Sequence, residues 1–123
     1  MNSKVFMVVR ILLGVFVLVF GFNKFFHFLD MGPMSEAAGA YFGALTSTKT
    51  IMLVAIIEIV AGLALIFDKY GALMSLILMS ISVNAVLFHF TLEPGSSAGA
   101  VVLLVLNILA LYGYKDKFKD LLS

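Results

Sequence analysis

Cysteine is absent from the 123-residue chain. That removes disulfides, thiolate metal sites, iron–sulfur ligation and any thiol relay. Tryptophan is absent as well, and there are only two prolines. Charge is scarce: Asp, Glu, Lys and Arg together make up 12%, about half the share normal for a soluble domain. Eight basic against seven acidic residues leave a net charge of +1, too little for a partner of nucleic acid, whose binding is dominated by phosphate contacts. Intrinsic disorder is excluded too, because disordered chains are polar and rich in charge.

What the chain has instead is apolar residue, 63% of the total. A soluble domain this small must cover most of its surface with polar groups, and this one lacks them. The composition points to an integral membrane protein whose partner is the lipid bilayer. Four hydrophobic stretches stand out, at about 5–26, 51–67, 72–90 and 98–114. Each is long enough, at 1.5 Å per residue, to match a hydrocarbon core of roughly 30 Å. Backbone groups in lipid must bond internally, and no polar/apolar alternation is visible, so each stretch is read as a helix rather than a strand. The expected fold is therefore all-α: a single transmembrane domain, 1–123, forming a four-helix bundle. The first stretch is too long for a signal peptide, and the nearest A-x-A, Ala38-Gly39-Ala40, lies too far downstream. It is expected to be retained, with Arg10 snorkelling to the interface.

The connections fit this reading. Asp68-Lys69-Tyr70-Gly71 forms a tight polar turn. Thr46–Thr50 and Glu93–Ser97 carry hydroxyls suited to N-caps of the helices that follow. In the first loop, Met34, Ala38, Tyr41, Phe42 and Leu45 recur at helical spacing, and Ser35-Glu36 can open a helix. Such a piece is too short to span, so it is expected to lie on the outer interface or dip in as a lid. Basic residues number six on the side of the termini and two on the other. The positive-inside rule then places both termini in the cytoplasm.

Ionisable and amide side chains at membrane depth are costly and mark function or specific pairing. They are Asn23, Lys24 and His27 at the outer end of the first stretch, Glu58 in the second, Asn84 and His89 in the third, and Asn107 in the fourth. Glu58 and Asn84 lie at nearly the same depth, while the inner half reads as almost pure hydrocarbon. The expected geometry is an outward-opening pocket closed below. Its ligand-binding candidates are Asn23, Lys24, His27, Glu58, Asn84 and His89, with Lys24 and Glu58 approaching each other as its charged floor. Asn84 and His89 lie roughly 140° apart on their helix, so both cannot face the centre. Asn107 is better read as interhelical glue. Each candidate also has a plain reading: Glu58 as the structural partner of Lys24, and the histidines as solvated interfacial groups. No metal site is expected.

Three segments resemble the DoxX family of small four-helix bacterial membrane proteins: Phe20-Gly21-Phe22-Asn23-Lys24-Phe25, Ile57-Glu58-Ile59-Val60-Ala61-Gly62 and Asn84-Ala85-Val86-Leu87-Phe88-His89. Arg10–Gly14 and Pro33-Met34 add to the likeness. The resemblance implies the bacterial inner membrane. It also implies, from members that are subunits of thiosulfate:quinone oxidoreductases or quinol oxidases, a quinone-associated redox subunit with partner redox subunits or a homo-oligomeric assembly. Lys24, His27 and Asn84 could donate to quinone carbonyls, and Glu58 or a histidine could exchange protons. The second reading is a non-enzymatic binder, carrier or assembly subunit for a small molecule or lipid. A third has His27 and His89 ligating a b-type haem, which the resemblance does not imply.

Overall fold

A computed structural model describes residues 2–26, 35–92 and 97–119. Among these, five α-helices and one short 3-10 helix form and no strand does. The helices are α1 (Ser3–Phe26), α2 (Glu36–Ser47), α3 (Thr50–Phe67), α4 (Gly71–Leu92) and α5 (Ala98–Gly113); the 3-10 turn is Lys115–Phe118. α1, α3 and α4 are long and apolar enough to cross a membrane, and α5 is a shorter apolar helix of 16 residues. α1 packs on α3, α3 on α4, α4 on α5 and α5 on α1, so these four close a ring.

The ring encloses a core of Leu13, Val17, Leu65, Leu78 and Leu103 with a few polar side chains set among them, and it is apolar outside. Its buried polar side chains are Asn23, Glu58, Ser75, Ser82 and Asn107. Its outer faces carry exposed Val8, Leu12 and Val15 on α1, Leu53, Ile56 and Val60 on α3, Leu76, Val83 and Leu87 on α4, and Val101, Val105 and Ile108 on α5. Water does not tolerate so continuous an apolar surface on a small protein, whereas lipid does. The chain is a membrane protein.

Without a hydrophobic drive between helices in lipid, association rests on close backbone approach and interhelical hydrogen bonds. Both are present. α1 and α3 meet along a seam at alternating three- and four-residue spacing: Gly14, Val17, Gly21 and Lys24 on one helix, Ala55, Glu58, Gly62 and Leu65 on the other. A Cβ on Gly62 would stand 2.8 Å from the Gly14 carbonyl oxygen, and one on Gly14 would stand 2.9 Å from that of Gly62. Only hydrogen fits at this crossing. α4 and α5 are joined instead by Asn107, which is fully buried. Its Nδ2 donates to the Ser75 carbonyl at 3.0 Å, and its Oδ1 accepts from the Ser82 hydroxyl at 2.6 Å. This is the adhesive role expected of Asn107. Asn107→Leu removes both bonds at similar volume and is expected to cost roughly 0.6–2 kcal/mol, read as a lowered unfolding midpoint in detergent with the helical content unchanged.

The turn between α3 and α4 is as tight as expected. It places Asp68 (φ 55°) and Tyr70 (φ 59°) in the left-handed region, with the Lys69 N–H closing onto the Ala64 carbonyl at 2.9 Å. Two expectations about caps are corrected. Ser97 precedes α5 but makes no side-chain cap. The Thr46–Thr48 hydroxyls do not cap α3; they donate backwards to carbonyls in the last turns of α2, Thr46 to Phe42 at 2.8 Å and Thr48 to Ala44 at 2.9 Å. Lys49 (φ 65°) reverses the chain and precedes α3 with no side-chain cap. By contrast Ser35 caps α2 as the sequence suggested, accepting from the Ala38 N–H at 3.2 Å.

The half of the ring nearer the termini differs from the almost pure hydrocarbon expected of it. Arg10 Nη1 donates to the carbonyls of Leu65 at 2.5 Å and Ile66 at 3.1 Å. It thus serves carbonyls of the last turn of α3, which have no intrahelical partners of their own. Nearby, the Tyr114 hydroxyl donates to Asp68 Oδ1 at 2.6 Å, and its buried ring meets Phe6 edge-on at 4.8 Å. These contacts link α1, α3, the α3–α4 turn and the end of α5.

Candidate functional site

The close α1–α3 crossing sets the geometry of the site at the end of the ring away from the termini. Gly14 faces Gly62, and Gly21 faces Ala55. In that antiparallel register Lys24 is level with about Met52, and Glu58 sits about six residues further in, roughly 9 Å at helical rise. Cα–Cβ bonds lean towards a helix's N-terminus. For α1 that direction runs towards the end of the ring that holds the termini, and for α3 it runs away from it. The Lys24 stem therefore runs towards that end, the Glu58 side chain leans away from it, and the two meet.

Lys24 Nζ lies 2.6 Å from Glu58 Oε1. The lysine side chain is 24% exposed and the carboxylate side chain 4%. Oε1 is buried and has no well-aligned hydrogen-bond donor among the described residues; the ammonium compensates its charge as an ion pair. A lysine at a helix end ordinarily snorkels out to water. Lys24 does the reverse, and the buried carboxylate is the reason. The approach expected from the sequence is present, on the helices expected to carry it.

The other candidates are distributed unevenly. Asn23, beside Lys24, is buried. Asn84 is exposed on the flank of the ring and turned to α2, where its Nδ2 donates to the Tyr41 hydroxyl at 2.9 Å. Of the two stripes on α4, the one holding Ser75 and Ser82 faces the interior, which resolves the 140° conflict: Asn84 is the residue outside it. His89 meets the Phe88 ring edge-on at 5.0 Å. His27 lies outside the described residues, as do Pro33 and Met34.

The contribution of α2 was the least legible part. Tyr41 stacks on Phe88 at 5.1 Å, Phe42 meets the same ring edge-on at 5.0 Å, and the Ser35 hydroxyl donates to the Leu92 carbonyl at 3.2 Å. The helical spacing of the first loop anticipated the helix, but Tyr41 was not among the candidates. The available signal was one aromatic hydroxyl in a loop segment otherwise made of small and apolar residues. Because Tyr41 accepts from Asn84, its own proton remains free to be donated elsewhere.

These groups sit on α1, α3 and α4 with α2 beside them, and a family model spans the same elements. The DoxX model matches residues 5–91, well over half of the chain. The chain belongs to the DoxX family. Neither curated proteins nor solved structures compared with it gave a match. The match to DoxX takes in Lys24, Glu58, Asn84 and His89 and stops before α5.

Proposed function

We propose that this DoxX-family protein is a quinone-associated redox subunit of the bacterial inner membrane, with its headgroup site at the outer ends of α1, α3 and α4. In this reading the four ring helices span the bilayer, and α2 lies at the outer interface as a lid. The observation that carries it is the inward-turned Lys24 on the buried Glu58. A paired charge at this depth is costly to maintain, and small nonpolar residues of similar volume would pack at least as well.

The residues fit a quinone headgroup. Its two carbonyls need donors: the Lys24 ammonium, ion-paired with Glu58, carries three N–H groups, and the Tyr41 hydroxyl keeps its proton. Glu58 and the Lys24 ammonium supply a pair between which a proton can be held. Phe42 and Phe88 provide an apolar sleeve against α4. A bound quinone would supply two-electron chemistry. Without cysteine the chain has no thiol or iron–sulfur relay, and in this reading partner subunits or the substrate itself supply the electrons. The same site would equally serve a non-enzymatic binder of a small molecule or lipid. Mass spectrometry of small molecules retained through purification in mild detergent separates the two: the redox reading expects co-purified quinone, and a sample retaining phospholipid alone favours the binder.

The orientation has its own test. With both termini cytoplasmic, Ser47→Cys is expected to react in intact cells with a membrane-impermeant thiol reagent, and Lys119→Cys only after lysis. The opposite pattern reverses the topology.

A further inference from the structure

A recess lies at the other end of the molecule from Lys24 and Glu58. It has a volume of about 300 Å³ and is lined by Asp68, Tyr70, Gly71, Ala72, Tyr114 and Lys117. That is at the small end of the range for ligand sites, roughly 300–1,000 Å³. Its walls are the α3–α4 turn, the start of α4 and the 3-10 turn after α5.

We infer that this recess binds the headgroup of an anionic, hydroxylated glycerophospholipid from the leaflet on the side of the termini. The first argument is the pairing of lining charges. Lys117 offers an ammonium to a phosphate. Asp68 already accepts from Tyr114 through Oδ1, which leaves Oδ2 to accept from a headgroup hydroxyl. A ligand complementary to both carries an anion and a hydrogen-bond donor, which a glycerol hydroxyl supplies. The second is the setting. Lys69, Lys115 and Lys119 surround the recess and are exposed; Lys119 is partnered at 3.6 Å by Asp116. The balance is positive, which favours a net negative headgroup over a zwitterion.

The third argument is the aromatic frame. The left-handed backbone at Tyr70 holds its ring out of the fold, 80% exposed. Tyr112, 52% exposed and the penultimate residue of α5, has Lys115 Nζ over its ring at 4.4 Å. Tyrosines of this kind sit at the headgroup level of a bilayer. The 3-10 turn that carries Lys117 is held in place by Phe118, which packs against the core. The recess is thus at the depth of lipid phosphates, and the backbone turn that carries its lysine is anchored on the core.

The test uses the full chain, delipidated in mild detergent and titrated in native mass spectrometry with phosphatidylglycerol, phosphatidylethanolamine or phosphatidylcholine. Phosphatidylglycerol is expected to bind more tightly than either zwitterion. Lys117→Gln is expected to weaken it about fivefold, the effect of one basic residue at a membrane surface. Lys119→Gln, which lies outside the lining, is expected to weaken it less than Lys117→Gln. Asp68→Leu removes the acceptor and is expected to weaken phosphatidylglycerol binding. Equal binding of all three lipids, or equal effects of the two lysine variants, overturns the proposal. Displacement of the lipid by millimolar inorganic phosphate would assign the recess to free phosphate and overturn it as well. Melting temperatures of each variant, measured in parallel, exclude misfolding as the cause of a loss.

Discussion

Lys24→Met is expected to destabilise the protein by roughly 3 kcal/mol, and Glu58→Leu by clearly less. Removing one partner of a buried pair leaves an uncompensated charge, at a cost of about 3–5 kcal/mol. The two partners are not equivalent, however. Glu58 is buried along the α1–α3 seam and its short side chain cannot reach the helix end. Lys24 is partly exposed near the outer end of α1, and once released it can extend to the interface. The asymmetry is therefore a consequence of depth. Lys24→Met combined with Glu58→Leu removes both charges and is expected to recover most of the lost stability. Unfolding midpoints of the four proteins in the same detergent give the comparison. Equal costs for the two single variants would contradict the depth argument.

Gly62→Val is expected to be more disruptive than either. A Cβ there meets the Gly14 carbonyl oxygen at 2.8 Å and Leu18 Cβ at 3.0 Å. The first neighbour is backbone and cannot rotate away, so α1 and α3 must move apart. Overpacking typically costs about 1–3 kcal/mol and sometimes more; here a branched side chain at a backbone crossing belongs at or above the upper end. The displacement has a second effect, because the same crossing sets the register that brings Lys24 to Glu58. Gly62→Val should therefore lose whatever the outer site binds even in the fraction that folds, while Leu63→Val, on the exposed lipid face, should change neither. Stability measured alongside ligand retention reads both effects.

The parts of this arrangement that could be read from the sequence are those set by strong, local rules. Four apolar stretches of spanning length gave the helices to within two residues, because hydrocarbon thickness and backbone bonding leave few alternatives. Ser35 before Glu36 announced α2, since an N-cap is a local interaction. The approach of Lys24 and Glu58 followed from consecutive antiparallel helices and the cost of lone charges. What was not legible depended on rotation about helix axes. The apolar residues surround every span, so periodicity does not say which face of α4 turns inward. Asn84 could thus be placed at the right depth without being assigned to α2. Arg10 and Tyr114 escaped for another reason. An arginine near a helix end ordinarily reaches water, and only the placement of the α3 carbonyls beside it gives it a different partner.

The central claim is that Lys24 and Glu58 serve a ligand and not only the union of α1 with α3. The most direct measurement is quinone retention by the Lys24→Met, Glu58→Leu double variant beside the unaltered protein, each purified in the same mild detergent and shown to be folded by its melting transition. The account predicts a folded double variant that has lost the quinone the unaltered protein carries. A folded double variant that retains it in full would show the pair to be structural alone and would contradict the claim.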